Sequence, residues 1–269
     1  MSKTRNEDKV SDIIVKSNYF IRDFVQHCNN LIEKRLVYAF FSVVDSVNDA
    51  KDHVYVLSMT DILRLLELSD GGRNYINIRE QLKTINDMSF WQRSIDANGQ
   101  RHDKLVRLFK DFSLDYKILD NANSNVSAID TCTFVFSDEI SRALMHQKKN
   151  FTRLLRSTIM QFKSIYSPSF YEYLMSFCYG KKFDSGSILP IEMDEDEVCY
   201  HLGFELNTPA WKIARTLPTV VKEINEFSET ITINDFTWTK TAGKRYIAKF
   251  NIIYRFDAPM PFQFGDTDM

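Results

Sequence analysis

At 269 residues, with 44% hydrophobic and 26% charged residues and only 8 Gly and 6 Pro, the chain is ordinary globular material of about two domains, neither disordered nor fibrous. A formal net charge of -2 excludes binding polyanions by bulk charge, so any such site must come from the distribution of charge. The cysteines Cys28, Cys132, Cys178 and Cys199 lie far apart with no C-x-x-C pair, which points to reduced core thiols and away from zinc or disulfides. The charged start MSKTRNEDKVSD and a longest apolar run of LVYAFF argue against secretion or a membrane span.

DIIVKS is expected to be extended. Residues 18–47 read helical, with a break near Asn29 and Asn30 and a second helix through EKRLVYAFFSVV. The apolar LVYAFFSVV exceeds what one domain core needs and is expected at a dimer surface. VYVLS reads as a strand, MTDILRLLEL as a short helix stopped by SDGGR, and NYINIREQLKTINDM as the next helix. FWQRSI and residues 106–118 read as paired strands, the second alternating Val106, Leu108, Phe112, Leu114, Tyr116 and Ile118 with mostly polar neighbours. Residues 96–104, DANGQRHDK, are the expected hairpin tip between them. Helix, strand, helix, turn, helix and two-stranded wing is the order of a winged-helix (helix-turn-helix) domain.

The second half repeats that order. A helix opens at Ser167 and Pro168, a good N-cap and N1 pair. ILPIEM parallels VYVLSM, DEDEVCYHLGF parallels TDILRLLEL, and TPAWKIARTLPTVVKEINEF parallels NYINIREQLKTINDM. Strands TITINDFTW and RYIAKFNIIYRF close the copy, and the similar separations of Met59 from Met193 and Asn86 from Asn225 favour internal duplication. The expected fold is α+β, two tandem winged-helix domains, 1–148 and 149–258, followed by a tail at 259–269.

Charge is segregated along this layout. Residues 140–171, ISRALMHQKKNFTRLLRSTIMQFKSIYSPSFY, carry Arg142, Lys148, Lys149, Arg153, Arg156 and Lys163 without one acid. Residues 236–256 carry Lys240, Lys244, Arg245, Lys249 and Arg255, also without an acid. Against them stands EMDEDE, 192–197, which reads as helix capping or a contact for a host protein before any metal site. Drawn at about 100° per residue, the last helix puts Ala214, Leu217, Val221 and Ile224 inward and Lys212, Arg215, Thr219 and Lys222 outward. The corresponding helix of the first half puts Tyr75, Ile78, Leu82 and Ile85 inward, leaving Arg73, Asn74, Asn77 and Lys83 as candidate contacts beside Glu80, which could repel phosphate or accept from cytosine N4. Lys240, Lys244 and Arg245 on the second wing, and Arg156, Lys163 and Ser164 at the junction, complete the candidate DNA-binding set.

FKSIYSPSFYEYL, VVKEINEFSETITIN and AGKRYIAKFNIIYRF together resemble the Rep initiators of iteron-bearing, theta-replicating plasmids. Members of that family show a leucine-lysine-serine-x-tyrosine run before an R-L-Y-E-L helix, and a later K-E-I-N motif. The arginine usual in R-L-Y-E-L is Ser169 here, a departure that bears on a phosphate contact from that position. The resemblance implies two winged-helix domains, binding of direct repeats (iterons) in double-stranded origin DNA as a monomer, and help in opening adjacent AT-rich DNA. It also implies recruitment of the host helicase and host initiator, repression of the protein's own gene as a homodimer, and a cytoplasmic, plasmid- or nucleoid-associated location. A winged-helix transcriptional repressor without initiator activity shares the fold and differs in binding one operator instead of an array.

Catalysis is not expected. His27, His53, His102, His146 and His201 are isolated, so no histidine pair can hold a metal beside a nucleophilic tyrosine, and no G-x-x-x-x-G-K-[ST] is present. No catalytic residue, metal or cofactor is expected.

Overall fold

The computed structural model describes residues 12–255, apart from residues 27, 99, 122, 123, 179–185, 206 and 244. Strand β1 (Ile13–Ser17) runs straight into helix α1 (Asn18–Asp23), which starts where the Phe20 N–H is accepted by the Ser17 hydroxyl. The helix expected to continue from here stops at once, because Phe24–Gln26 forms a short, fully buried strand, β2. Helix α2 (Leu31–Phe41) opens on Asn30, whose side chain accepts from the Glu33 N–H. Its Leu36, Val37, Tyr38, Ala39, Phe40 and Phe41 are all buried within the chain, so LVYAFF belongs to the core and is not the dimer surface expected from its apolarity.

Strand β3 (Tyr55–Ser58), helix α3 (Met59–Leu65) and helix α4 (Gly72–Ile85) follow the expected order, with Ser58 and Asp61 forming a capping box. The strands after them do not. β4 (Ser89–Ile95) pairs with β5 (Arg101–Arg107) and with β2, while β6 (Phe109–Asn121) pairs with β7 (Ser124–Phe136), and β7 pairs with β3. The strand expected over 106–118 is therefore broken at Leu108, whose N–H is given to the Met88 carbonyl and whose own carbonyl accepts from Ser137. The sheet order β3-β7-β6 makes β6–β7 the wing of the first half, and β4–β5 an added hairpin in the sheet β2-β4-β5. Alternation alone could not separate them, because apolar Val106, Leu108, Phe112 and Leu114 keep one parity on both sides of the break, with Lys110 the single interruption.

Helix α5 (Asp138–Leu144), strand β8 (Phe151–Leu155) and helix α6 (Arg156–Gln161) make the junction. β8 lies antiparallel to β1, from Ile13 opposite Leu155 to Ser17 opposite Phe151. The second half comprises α7 (Ser167–Cys178), β9 (Ile188–Asp194), α8 (Glu195–Leu202), α9 (Ala210–Phe227), β10 (Ile231–Lys240) and β11 (Tyr246–Tyr254). Its sheet order β9-β11-β10 repeats β3-β7-β6 strand for strand, so the chain is two winged-helix units of one topology. Ser167 is the first residue of α7, but its hydroxyl donates to Glu223 instead of capping the helix. EMDEDE does cap: Asp194 and Glu197 form a capping box at the start of α8. That helix ends at Gly203, where φ is 77° and an added Cβ would stand 3.5 Å from the Gln26 carbonyl oxygen.

The two halves interlock through polar groups buried among aromatic rings. Lys16 of β1 ion-pairs with Glu172 of α7, and the same carboxylate accepts from the Tyr38 hydroxyl; Lys16 and Glu172 are 3% and 5% exposed. The Lys16 ammonium also lies 4.9–5.0 Å from the rings of Phe20, Tyr38 and Phe41. Burial pulls the Lys16 pKa below its ordinary value against the opposing pull of Glu172. Arg22 donates to the Ser176 carbonyl (2.8 Å) and hydroxyl (3.1 Å). Tyr200 donates to the Asp23 carbonyl (2.6 Å) while the Arg93 guanidinium of the added hairpin covers its ring at 3.7 Å. The β4–β5 hairpin thus braces one half against the other. Cys132, Cys178 and Cys199 are buried and Cys28 half-buried, none of them in a disulfide, with burial pushing the Cys28 and Cys132 thiols up to about 12. Among the described residues no helix is long and apolar enough to cross a membrane.

Candidate nucleic-acid interface

Helix α9 is long and strongly amphipathic. Ile213, Leu217, Val220, Val221 and Ile224 are buried against the second-half core, and Lys212, Arg215, Thr219 and Lys222 are exposed on the far side as expected. The inward face is turned slightly from the one expected: Ala214 is exposed, and Ile213 and Val220 replace it in the core. Among the described residues Arg215 and Lys222 have no ion-pair partner; Lys212 lies 5.1 Å over the Phe204 ring. From residue 210 to 222 the helix has no acid, so an approaching phosphate meets only positive and neutral groups.

The wing β10–β11 pairs from Ile231 opposite Tyr254 to Lys240 opposite Tyr246. Its tip is closed by the Thr241 N–H donating to the Arg245 carbonyl at 2.7 Å, which leaves Lys240 and Arg245 exposed. Lys244 lies outside the described residues. Lys249 is exposed but ion-paired to Glu192 of β9 at 2.9 Å.

At the junction the three candidates part company. Lys163 is exposed, its ammonium 5.6 Å from the Phe227 ring. Ser164 is half-buried; its N–H donates to both Glu223 oxygens (3.1 and 3.0 Å) and its hydroxyl accepts from the Tyr166 N–H. Arg156 turns inward: its side chain is 13% exposed, it donates to the Leu65 carbonyl, and it ion-pairs with Asp12 (3.3 Å) and Glu67 (3.4 Å). It fastens the turn after α3 to the start of α6.

Glu223 itself escaped notice in the sequence. It is 7% exposed and accepts from the Lys163 and Ser164 amides and, at 2.7 Å, from the Ser167 hydroxyl. Two residues on, Asn225 gives and takes a hydrogen bond with the backbone of Ile233 (2.9 and 2.7 Å). The signal for both was the K-E-I-N string: its lysine faces solvent, its glutamate anchors α9 to the entry of α7, its isoleucine enters the core, and its asparagine ties down β10. Tyr171 of the other motif closes the set, hydrogen-bonded to Thr230 at 2.9 Å.

In the first half, Ile78, Leu82 and Ile85 of α4 are buried, and Tyr75 is half-buried with its hydroxyl on the Ile129 carbonyl. Arg73, Asn77 and Lys83 are exposed. Asn74 is engaged locally, donating to the Ser69 carbonyl and hydroxyl. One oxygen of Glu80 accepts from Arg79 (3.0 and 3.1 Å) and Lys83 (3.1 Å), bonds that hold its carboxyl below the usual range. Its charge is therefore already balanced, and α4 offers less free positive charge than α9.

A family model described as initiator replication protein, WH1, matches residues 13–175. No curated protein matches the chain. The crystal structure of Pi initiator protein in complex with iteron DNA shares the fold at a TM-score of 0.62 and 15% identity, covering 93% of this chain and 100% of that one. The structure of domains 2 and 3 of RctB matches at a TM-score of 0.52 and 15% identity, over 84% of this chain and 82% of that one. At such identities the likeness is one of fold.

Proposed function

The chain belongs to the initiator replication protein family, and on that premise we propose that it binds direct repeats of a plasmid origin, α9 entering the major groove and the β10–β11 tip crossing the backbone. The observation that carries this reading is the exposed face of α9, free of acid from residue 210 to 222, with Lys212, Arg215, Thr219 and Lys222 beside a wing tip bearing Lys240 and Arg245. Arg215 and Lys212 would reach base edges, and Lys240, Arg245, Lys222 and Lys163 would contact phosphate. The Ser164 hydroxyl, with the Lys244 side chain, would extend that contact. Arg73, Asn77 and Lys83 of α4 would make a second, weaker contact, with Asn74 shaping its edge. Arg156 would hold the halves together, since its bonds to Asp12 and Glu67 must break before phosphate could replace them. That the Pi initiator protein was crystallised with iteron DNA supports the same class of ligand here.

The proposed division of labour places dimerisation and auxiliary DNA contact in residues 1–148 and repeat reading in 149–258. As a monomer on the repeats the protein would help open adjacent AT-rich DNA and recruit the host helicase and initiator, and as a dimer it would repress its own gene. No catalytic step is assigned to it. Selection from a random duplex pool, followed by footprinting on tandem copies of the recovered site, tests the reading. Enrichment of one asymmetric site, protected once per direct copy, is expected. Enrichment of a single inverted repeat would favour a transcriptional repressor, and no enrichment would remove sequence-specific binding.

A further inference from the structure

The outward face of α9 is not uniformly polar. Trp211 is 66% exposed, and Ala214 and Pro218 are exposed with it. At about 100° per residue these positions fall within about 60° of one another around the axis, forming an apolar ridge. Arg215 and Lys222 border it and Thr219 and Lys212 lie beyond them, so one edge of the ridge is lined by cations, and the first acid on that edge, Glu226, comes only one turn past Lys222. Leaving an indole in water forfeits its burial free energy, and nothing in the helix's own packing requires Trp here, since Ile213 and Leu217 fill the core. Pro218 adds to the ridge at a cost to the helix: it removes one backbone N–H in mid-helix.

We propose that this ridge reads thymine 5-methyl groups, so that the preferred DNA carries thymines at the positions α9 covers. The positive border selects a polyanion as the occupant, and the major groove is where a duplex shows apolar groups between its phosphates, the thymine methyl being the one on offer. Arg215 and Lys212 would then fix the register while Trp211, Ala214 and Pro218 bury methyls that water otherwise covers. This inference rests on the proposed placement of α9 in the groove.

The test uses the full chain and the duplex recovered by selection, made once with thymine and once with deoxyuridine at every thymine. That exchange removes the methyls and leaves the hydrogen-bonding edges and phosphates unchanged. Each methyl buried is expected to contribute about fourfold in affinity, so the uridine duplex should bind the wild-type protein about tenfold or more weakly if several are covered. Trp211→Ala should weaken binding to the thymine duplex and shrink the thymine-to-uridine ratio. Arg215→Ala should weaken both and keep the ratio. Equal wild-type affinity for the two duplexes overturns the inference while leaving repeat binding intact, as does a full wild-type ratio in Trp211→Ala. Failure of the selection to recover any site overturns the groove placement, and this inference with it.

Discussion

Removing the Glu223 carboxylate tests how α9 is held. In the native protein one oxygen accepts from the Lys163 N–H (3.2 Å), the Ser164 N–H (3.0 Å) and the Ser167 hydroxyl (2.7 Å), and the other accepts from the Ser164 N–H (3.1 Å). Glu223→Ala strands all three donors. An unpaired buried donor costs about 1–3 kcal/mol, and the Lys163 amide, beside an exposed side chain, can recover water, so the total is about 3–5 kcal/mol. For a chain of this size that lowers Tm by about 10 °C. Glu223→Gln can place its amide oxygen where the three-bond oxygen stood, losing charge but no partner, and should cost about 1 kcal/mol. Urea unfolding of the three proteins reads both numbers. A Glu223→Ala loss below about 1 kcal/mol, or equal losses for Ala and Gln, would refute the anchoring role.

Three other outcomes follow from the same geometry. Lys16→Met leaves the Glu172 carboxylate buried without its cation and should cost about 3–5 kcal/mol in chemical unfolding, much of it regained in Lys16→Met/Glu172→Leu. His201 is buried, stacked on Tyr173, and held well below its ordinary pKa by burial and by Arg93 and Arg22. The folded protein keeps it neutral while the unfolded chain takes up a proton, so stability should fall as pH drops below about 6.5, by up to about 1.4 kcal/mol per unit, and His201→Phe should flatten that fall. Arg215→Ala should cost about 1–3 kcal/mol on the selected repeat and little on scrambled DNA, whereas Arg245→Ala should weaken both alike.

Repeated hydrophobic patterns carried most of the architecture. The order strand, helix, helix, wing could be read twice because each unit buries one face of each element, and burial leaves a period in the sequence. What could not be read was pairing. β5 and β6 follow one another with only Leu108 between them, the apolar parity of Val106 and Leu108 resumes at Phe112, and only the contact of β3 with β7 tells which hairpin is the wing. β2 was hidden for a related reason: three buried residues, Phe24, Val25 and Gln26, have no period at all. In the candidate site, the exposed cations of α9 followed from the helical wheel. Ala214 did not, because a small apolar residue next to the buried arc is compatible with either side. Arg156 looked like its basic neighbours in sequence, and its inward turn depends on Asp12 and Glu67, both remote along the chain.

The salt dependence of binding to tandem direct repeats tests the central claim most directly. Lys163, Lys212, Arg215, Lys222, Lys240 and Arg245 are the exposed cations that the proposed placement brings to phosphate or groove. At about 0.9 counterion released per phosphate neutralised, the four assigned to phosphate, Lys163, Lys222, Lys240 and Arg245, give a slope of log K against log salt of about -4. The account predicts that slope on the selected repeats, with markedly weaker binding to a scrambled duplex at each salt concentration. A slope near -1, or equal affinity for repeat and scrambled DNA, would contradict it.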